Sequence, residues 1–212
     1  MRSLLPPATE RSSHLPLKAI APGLVVIVAM NILAVTGLWP DDPLWSMMAT
    51  IMLWAIPWAT LVVLRQSPAV FAYQSEGAGL NYAWGVLAGA IWRGLSMLFN
   101  YRIIYAGSVP LEGVGMLFFG LIWVPFIEET FFRGYIGKTL NANIGPAKGI
   151  LLQAVLFTFQ PVHWVQGWPA LISVFVFGVA AGWLVERWDS IWAGWGAHGF
   201  ANVLPGILRL FA

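Results

Sequence analysis

Three short stretches of this chain carry residue types and spacings that could do chemistry. The first is Glu128-Glu129-Thr-Phe-Phe-Arg133, the second Phe159-Gln-Pro-Val-His163, and the third His198-Gly-Phe-Ala-Asn202. All three lie in strongly apolar sequence. An ionisable side chain at the middle of a membrane span costs roughly 2.5–3.5 kcal/mol, and such groups mark functional sites by default. The structural alternative is an ion pair that locks two helices. Glu129 and Arg133 are i,i+4 with the acid first, the favourable order on a helix, so they can neutralise each other on one face. Glu128 lies about 100° further round a helix and has no base at i+3 or i+4. Its own face carries Pro125 and Phe132. The two acids therefore divide: Glu129 as structural support and Glu128 as a general base, which must accept a proton near neutrality. Pro125 removes a helical hydrogen bond just before them and could open the helix to a cavity.

The chain has three histidines. His14 sits in a polar N-terminal tail and reads as solvated. A lone buried histidine is more often a hydrogen-bonded core residue than a ligand, but His163 and His198 accompany an unpaired Glu. One Glu and two His form a set that binds zinc in hydrolytic enzymes, with water in the fourth position. Glu128, His163 and His198 are the candidate ligands. The same groups could polarise a water without a metal. His198 and Asn202 are i,i+4, so imidazole and amide can point into one site. Phe159 and His163 have the same spacing, so the Phe159 ring can wall the imidazole. Gly194, Gly196 and Gly199 permit close helix approach around His198. No His-Glu-x-x-His occurs, which excludes a zincin.

The elements that must position these groups are set by composition. Apolar types make up 59% of the 212 residues and charged types only 9%, against about 45–50% and 25% in ordinary globular chains. Mean hydropathy is +0.75. This excludes a soluble enzyme, a disordered chain and a nucleic-acid binder, since the net charge is only +2. With no cysteine there is neither a disulfide framework nor a thiolate site. The pattern predicts an all-α, multispanning transmembrane helix bundle of about seven spans: Leu17–Leu38, Leu44–Leu64, Leu80–Phe99 with Arg93, Gly113–Ile136, the stretch that follows the Asn143-Ile-Gly-Pro146 turn and reaches Trp164, Trp168–Val185 and Ile191–Leu210. Residues 1–16 form the tail, 17–112 the spans without a motif, and 113–210 the spans with all three. Trp39, Trp45, Trp164, Trp168, Trp188 and Trp192 stand at span ends, as interfacial belts require. The first span is too long for a signal-peptide core and reads as retained. Arg2, Arg11, Lys18, Arg65, Lys138, Lys148 and Arg187 then fall on one side, against Arg102 and Arg209 on the other. Asp41 and Asp42 share that second side. The bias predicts a cytoplasmic N-terminus. On these spans His163 and His198 sit at different depths. A shared site needs tilt, a kink at Pro161, or other span boundaries.

Order, spacing and placement of the three motifs resemble the CPBP (or ABI) family, which contains type II CAAX prenyl endopeptidases and bacterial bacteriocin-processing or self-immunity proteins. The resemblance covers about residues 113–205. It implies an intramembrane endopeptidase in which Glu128 and His163 activate the attacking water, His198 and Asn202 stabilise the oxyanion, and Glu129 and Arg133 support the site. Zinc remains open, with a metal-independent mechanism preferred because His198 and Asn202 share a face. The implied substrate is a hydrophobic or lipid-linked peptide reached from the lipid bilayer; compact length and the absence of a cleavable signal point to a prokaryotic plasma membrane. Two rivals stand beside it: a non-catalytic scaffold or immunity protein of the same family, and a proton-coupled transporter, for which the paired repeats that transporters often show are missing.

Overall fold

A computed structural model describes residues 14–38, 43–99, 117–164 and 167–209. Among them every element is helical. A 3-10 turn (Leu17–Ile20) leads into α1 (Ala21–Val35), followed by α2 (Pro43–Leu64), a 3-10 turn (Pro68–Phe71) and α3 (Ala78–Phe99). The central helix is irregular. A π segment (Phe119–Trp123) runs into α4 (Val124–Glu128), then a second π segment (Glu129–Gly137), then α5 (Lys138–Ile144). The chain closes with α6 (Pro146–Thr158), the short α7 (Pro161–Trp164), α8 (Trp168–Trp188) and α9 (Ile191–Arg209).

Three stretches are long and apolar enough to cross a membrane by length and composition: Leu17–Val35, Met47–Leu64 and Trp168–Trp188. The expected count of about seven is not confirmed. The clearest departure is the fifth span, which is two elements. α6 has 13 residues, about 20 Å at 1.5 Å per residue and short of a hydrocarbon core of about 30 Å. Gln160 precedes Pro161, and a residue before proline is pushed out of the helical region. α6 accordingly ends at Thr158 and a new turn starts at Pro161. Arg2, Arg11, Trp39, Asp41, Asp42, Arg102 and the start of the fourth span at Gly113 lie outside the described residues.

The second π segment is the centre of the molecule: all its residues from Glu129 to Gly137 are buried. Phe131, Phe132, Tyr135 and Ile136 have no exposed surface. From one side Phe71, also fully buried, reaches in from the α2–α3 connection and packs on Gly134, where an added Cβ would stand 3.0 Å from its own Cβ. From another, α1 leans on Tyr135, whose hydroxyl donates to the Ala19 carbonyl at 2.6 Å. α3 and α9 form the tightest helix pair. A Cβ on Gly85 or Gly89 of α3 would collide with the backbone carbonyls of Ala193 or Ala197, and one on Gly196 of α9 with that of Tyr82. Small residues let backbones approach in this way inside membranes. A polar clasp ties α5 to the α8–α9 corner: Lys138 Nζ lies 3.1 Å from Glu186 and 2.7 Å from Asp189. Burial works against the ammonium. The hydrogen bond to Asp189 and the charges of Glu186 and Asp189 outweigh it and hold the Lys138 pKa above its ordinary value.

Candidate active site

Glu128 and Glu129 stand where α4 gives way to the second π segment. π-helical turns are rare and frequent at functional sites. One cause of the irregularity is legible. Pro125 has no N–H, so the carbonyl of Leu121, four residues earlier, has no helical partner there. α9 supplies one: the Trp195 indole donates to Leu121 O at 2.8 Å. The Asn202 amide approaches the neighbouring Gly120 carbonyl at 3.5 Å. Gly199 makes this possible, since its added Cβ would stand 2.9 Å from Leu121 O. The gap that Pro125 opens is thus closed by the helix that carries His198.

The Glu129–Arg133 pair is present as the spacing predicts. Nη1 lies 3.1 Å from Glu129 Oε1, with both side chains buried. The guanidinium carbon sits 4.0 Å from the centroid of Phe157 and 5.7 Å from that of Phe177. The charge is thus compensated by one carboxylate and two aromatic faces. None of its nitrogens meets hydrogen-bond geometry with an acceptor among the described residues.

Glu129 has a second partner that the sequence did not indicate. His198 Nδ1 donates to Glu129 Oε1 at 2.8 Å. His198 Nε2 faces Glu128 Oε2 at 3.8 Å. The imidazole therefore lies between the two acids, one in hydrogen-bond contact and the other a step beyond it. Glu128 is the more accessible acid, its side chain 17% exposed against 1% or less for Glu129. Gly194 holds space for this arrangement, because an added Cβ would stand 2.5 Å from Glu129 Oε2.

His163 reaches the site because the chain breaks before it. Its Nδ1 donates back to the carbonyls of Phe157 (3.1 Å) and Thr158 (3.2 Å) in the last turn of α6. Its ring lies edge-on to Phe157 at 5.2 Å, and His198 meets the same ring at 5.9 Å. The break at Pro161 thus resolves the difference in depth. It also corrects the expectation for Phe159. That residue is not helical with His163, is 45% exposed, and the ring against His163 is Phe157. Sequence spacing missed Phe157, which also meets Phe132 at 5.3 Å and carries Arg133. The proline was the available signal, since i,i+4 reasoning fails across a Gln-Pro step.

Arg93, counted with the embedded charges, lies outside this group. Its Nε donates to the Ala201 carbonyl at 2.9 Å. Pro205 lies inside α9 and lacks the N–H that would take that carbonyl. The sequence leaves zinc open. Among the described residues no three of His, Asp and Glu form a group able to hold a metal. His198 and His163 share the Phe157 ring, and Glu128 faces His198 Nε2 at 3.8 Å, without the three forming a coordination set.

These features define an integral membrane protein, helical throughout the described residues, with a cluster in which Glu129, Arg133 and His198 are buried and Glu128 and His163 are partly exposed. Residues 110–204 match the family described as type II CAAX prenyl endopeptidase Rce1-like, which bears out the resemblance over the segment that contains all three motifs. Comparison with curated proteins and with solved structures gave no match.

Proposed function

We propose that the protein is an intramembrane endopeptidase that cleaves a membrane-associated or lipid-linked peptide by attack of an activated water. The observation that supports this most is His198 held between Glu129 and Glu128, with Glu128 the acid that substrate can approach. Glu128 takes a proton from the water as the oxygen adds to the scissile carbonyl. The carbonyl π electrons move to its oxygen, the C–N bond then breaks, and the proton passes to the leaving amine. His163, with Nδ1–H fixed on backbone carbonyls, presents Nε2 as an acceptor that can orient the same water. The oxyanion is met by His198 and Asn202. With Nδ1–H on Glu129, His198 donates from Nε2 only as an imidazolium. Two carboxylates, one guanidinium and one imidazolium then balance in charge. Donors aimed at developing charge in a dry site are worth about 10²–10³-fold each. The N-terminus is assigned to the cytoplasm and the membrane to a prokaryotic plasma membrane. Single cysteines placed in this cysteine-free chain and labelled from each side test the orientation.

The test is cleavage of a farnesylated CAAX peptide and its unprenylated counterpart in proteoliposomes. Glu128→Gln keeps the shape but cannot take the proton, and a fall of about 10²–10⁴-fold is expected from losing a general base, with the melting temperature unchanged. Full activity in the Gln form would sink the assignment. Proton flux without cleavage in the same vesicles would favour the transporter.

A further inference from the structure

Tyr73 belongs to none of the three motifs and lies ahead of the matched segment. It stands in the connection between α2 and α3, just past the turn Pro68–Phe71. Its hydroxyl nevertheless ends beside the glutamate pair, 2.6 Å from Thr130 Oγ1. Thr130 follows Glu129 in the chain and is 1% exposed. Counting protons fixes the direction of the bond. The Thr130 hydroxyl has one, and it goes to the Phe126 carbonyl, one turn back. Tyr73 is therefore the donor and Thr130 Oγ1 the acceptor. The same Phe126 carbonyl also accepts the backbone N–H of Glu129. A relay thus runs from Tyr73 through Thr130 to the carbonyl that holds Glu129, at the step where α4 gives way to the second π segment.

The relay is anchored at its outer end. Ala72, fully buried, takes a left-handed φ of 63°, a conformation that costs any residue with a Cβ. α9 keeps this turn in place: the Ile191 N–H donates to Ala72 O at 2.9 Å, and the Trp192 indole to Gln74 O at 2.7 Å. The Tyr73 ring stands edge-on to Trp192 at 5.6 Å and lies 5.7 Å from Trp58. α9 is also the helix of His198. Tyr73 is thus held by the element that carries the imidazole and grips the turn that carries the acids. The spacings at stake are those the chemistry needs, His198 Nδ1 to Glu129 at 2.8 Å and His198 Nε2 to Glu128 at 3.8 Å. A displacement of about 1 Å in such a set can cost about 10²-fold in rate. We infer that Tyr73 is a positioning residue, whose hydrogen bond to Thr130 sets Glu128 and Glu129 in register with His198. The inference rests on the endopeptidase reading for the reaction served, though the alignment itself does not depend on it.

The test uses the full chain. Tyr73→Phe keeps the ring between Trp58 and Trp192 and removes only the donor. With the farnesylated CAAX peptide in proteoliposomes, kcat should fall roughly fivefold to tenfold, the rate equivalent of one neutral hydrogen bond, with KM unchanged. Thr130→Val cuts the same relay and should lose as much, and the double variant should lose no more than either single one. Thr130→Ser keeps the hydroxyl and should recover most of what Thr130→Val loses. Alignment is read without turnover by NMR of protein carrying isotope-labelled histidine, the His198 signal being assigned by its disappearance in His198→Gln. The His198 Nδ1 proton signal should move in Tyr73→Phe. A bond that only stabilises would lower the melting temperature in detergent and leave both the kcat of folded protein and the imidazole signal as in the wild type. That result, or losses that multiply in the double variant, overturns the positioning role. A wild type that fails to cleave while the imidazole signal still moves sinks the endopeptidase reading and leaves the alignment standing.

Discussion

Exchanging Arg133 for methionine should strongly destabilise the protein's centre. Arg133 is 1% exposed, and its Nη1 lies 3.1 Å from Glu129. Without it, Glu129 keeps only the His198 hydrogen bond on Oε1, and its buried Oε2 has no partner. Removing one member of a buried ion pair costs about 3–5 kcal/mol. A chain of this size shifts its midpoint by about 2–4 °C per kcal/mol. The loss in Arg133→Met is therefore roughly 6–20 °C. Glu129→Gln should do comparable damage for the opposite reason: it takes from the cation its contacting carboxylate and leaves the Phe157 and Phe177 rings and the more distant Glu128. The double variant Glu129→Gln/Arg133→Met has neither charge and should melt above both single variants. The assay is thermal unfolding in detergent at fixed lipid content. Losses that simply add in the double variant would refute the pairing. Activity provides a second channel. Recovery of folding should not restore cleavage, because the neutral amide of Glu129→Gln no longer balances the charge of His198.

Three further outcomes follow from the same geometry. Asn202→Ala should lower kcat for the farnesylated peptide by about 10²–10³-fold with KM little changed, the loss expected for one oxyanion donor; a KM effect alone would assign the amide to substrate binding. Gly85→Leu should separate α3 from α9, since even a Cβ there meets the Ala193 carbonyl, and should cost about 1–3 kcal/mol as overpacking does; an unchanged melting curve counts against the close approach. A strong chelator should leave cleavage intact, measured alongside the metal content of the same sample, and abolition of activity with loss of a stoichiometric metal would overturn the metal-independent route.

The helical class, the embedded charges and the Glu129–Arg133 pair were legible because each rests on local rules: apolar length, desolvation cost and i,i+4 spacing. The close approach around Gly194, Gly196 and Gly199 was legible too, since small residues have few other uses in a span. What escaped the sequence was long-range. Nothing near Glu129 in the chain points to His198, which arrives from 69 residues away. The second π segment is invisible to a pattern reading that assumes 3.6 residues per turn. The error at Phe159 had a local cause, a helical register carried across Gln160-Pro161 where the backbone cannot follow it. The break in the fifth span escaped for a related reason: α6 and α7 read as one apolar stretch, and apolarity alone does not report a break.

The Arg93 contact has a consequence for how this chain can vary. Pro205 bares a carbonyl three residues beyond the imidazole of His198, and Arg93 covers it from a helix that carries none of the motif residues. Each residue alone is a liability: the proline without the arginine leaves an acceptor uncovered, and the arginine without the proline leaves a cation in lipid with no specific task. Both lie outside residues 110–204. In descent the two should be acquired and discarded together, as a covarying pair, even though 112 positions separate them in the chain. A chimera that grafts the motif-bearing half onto foreign leading helices should tolerate the exchange only if the donor brings its own hydrogen-bond donor to that carbonyl, or if Pro205 is replaced at the same time.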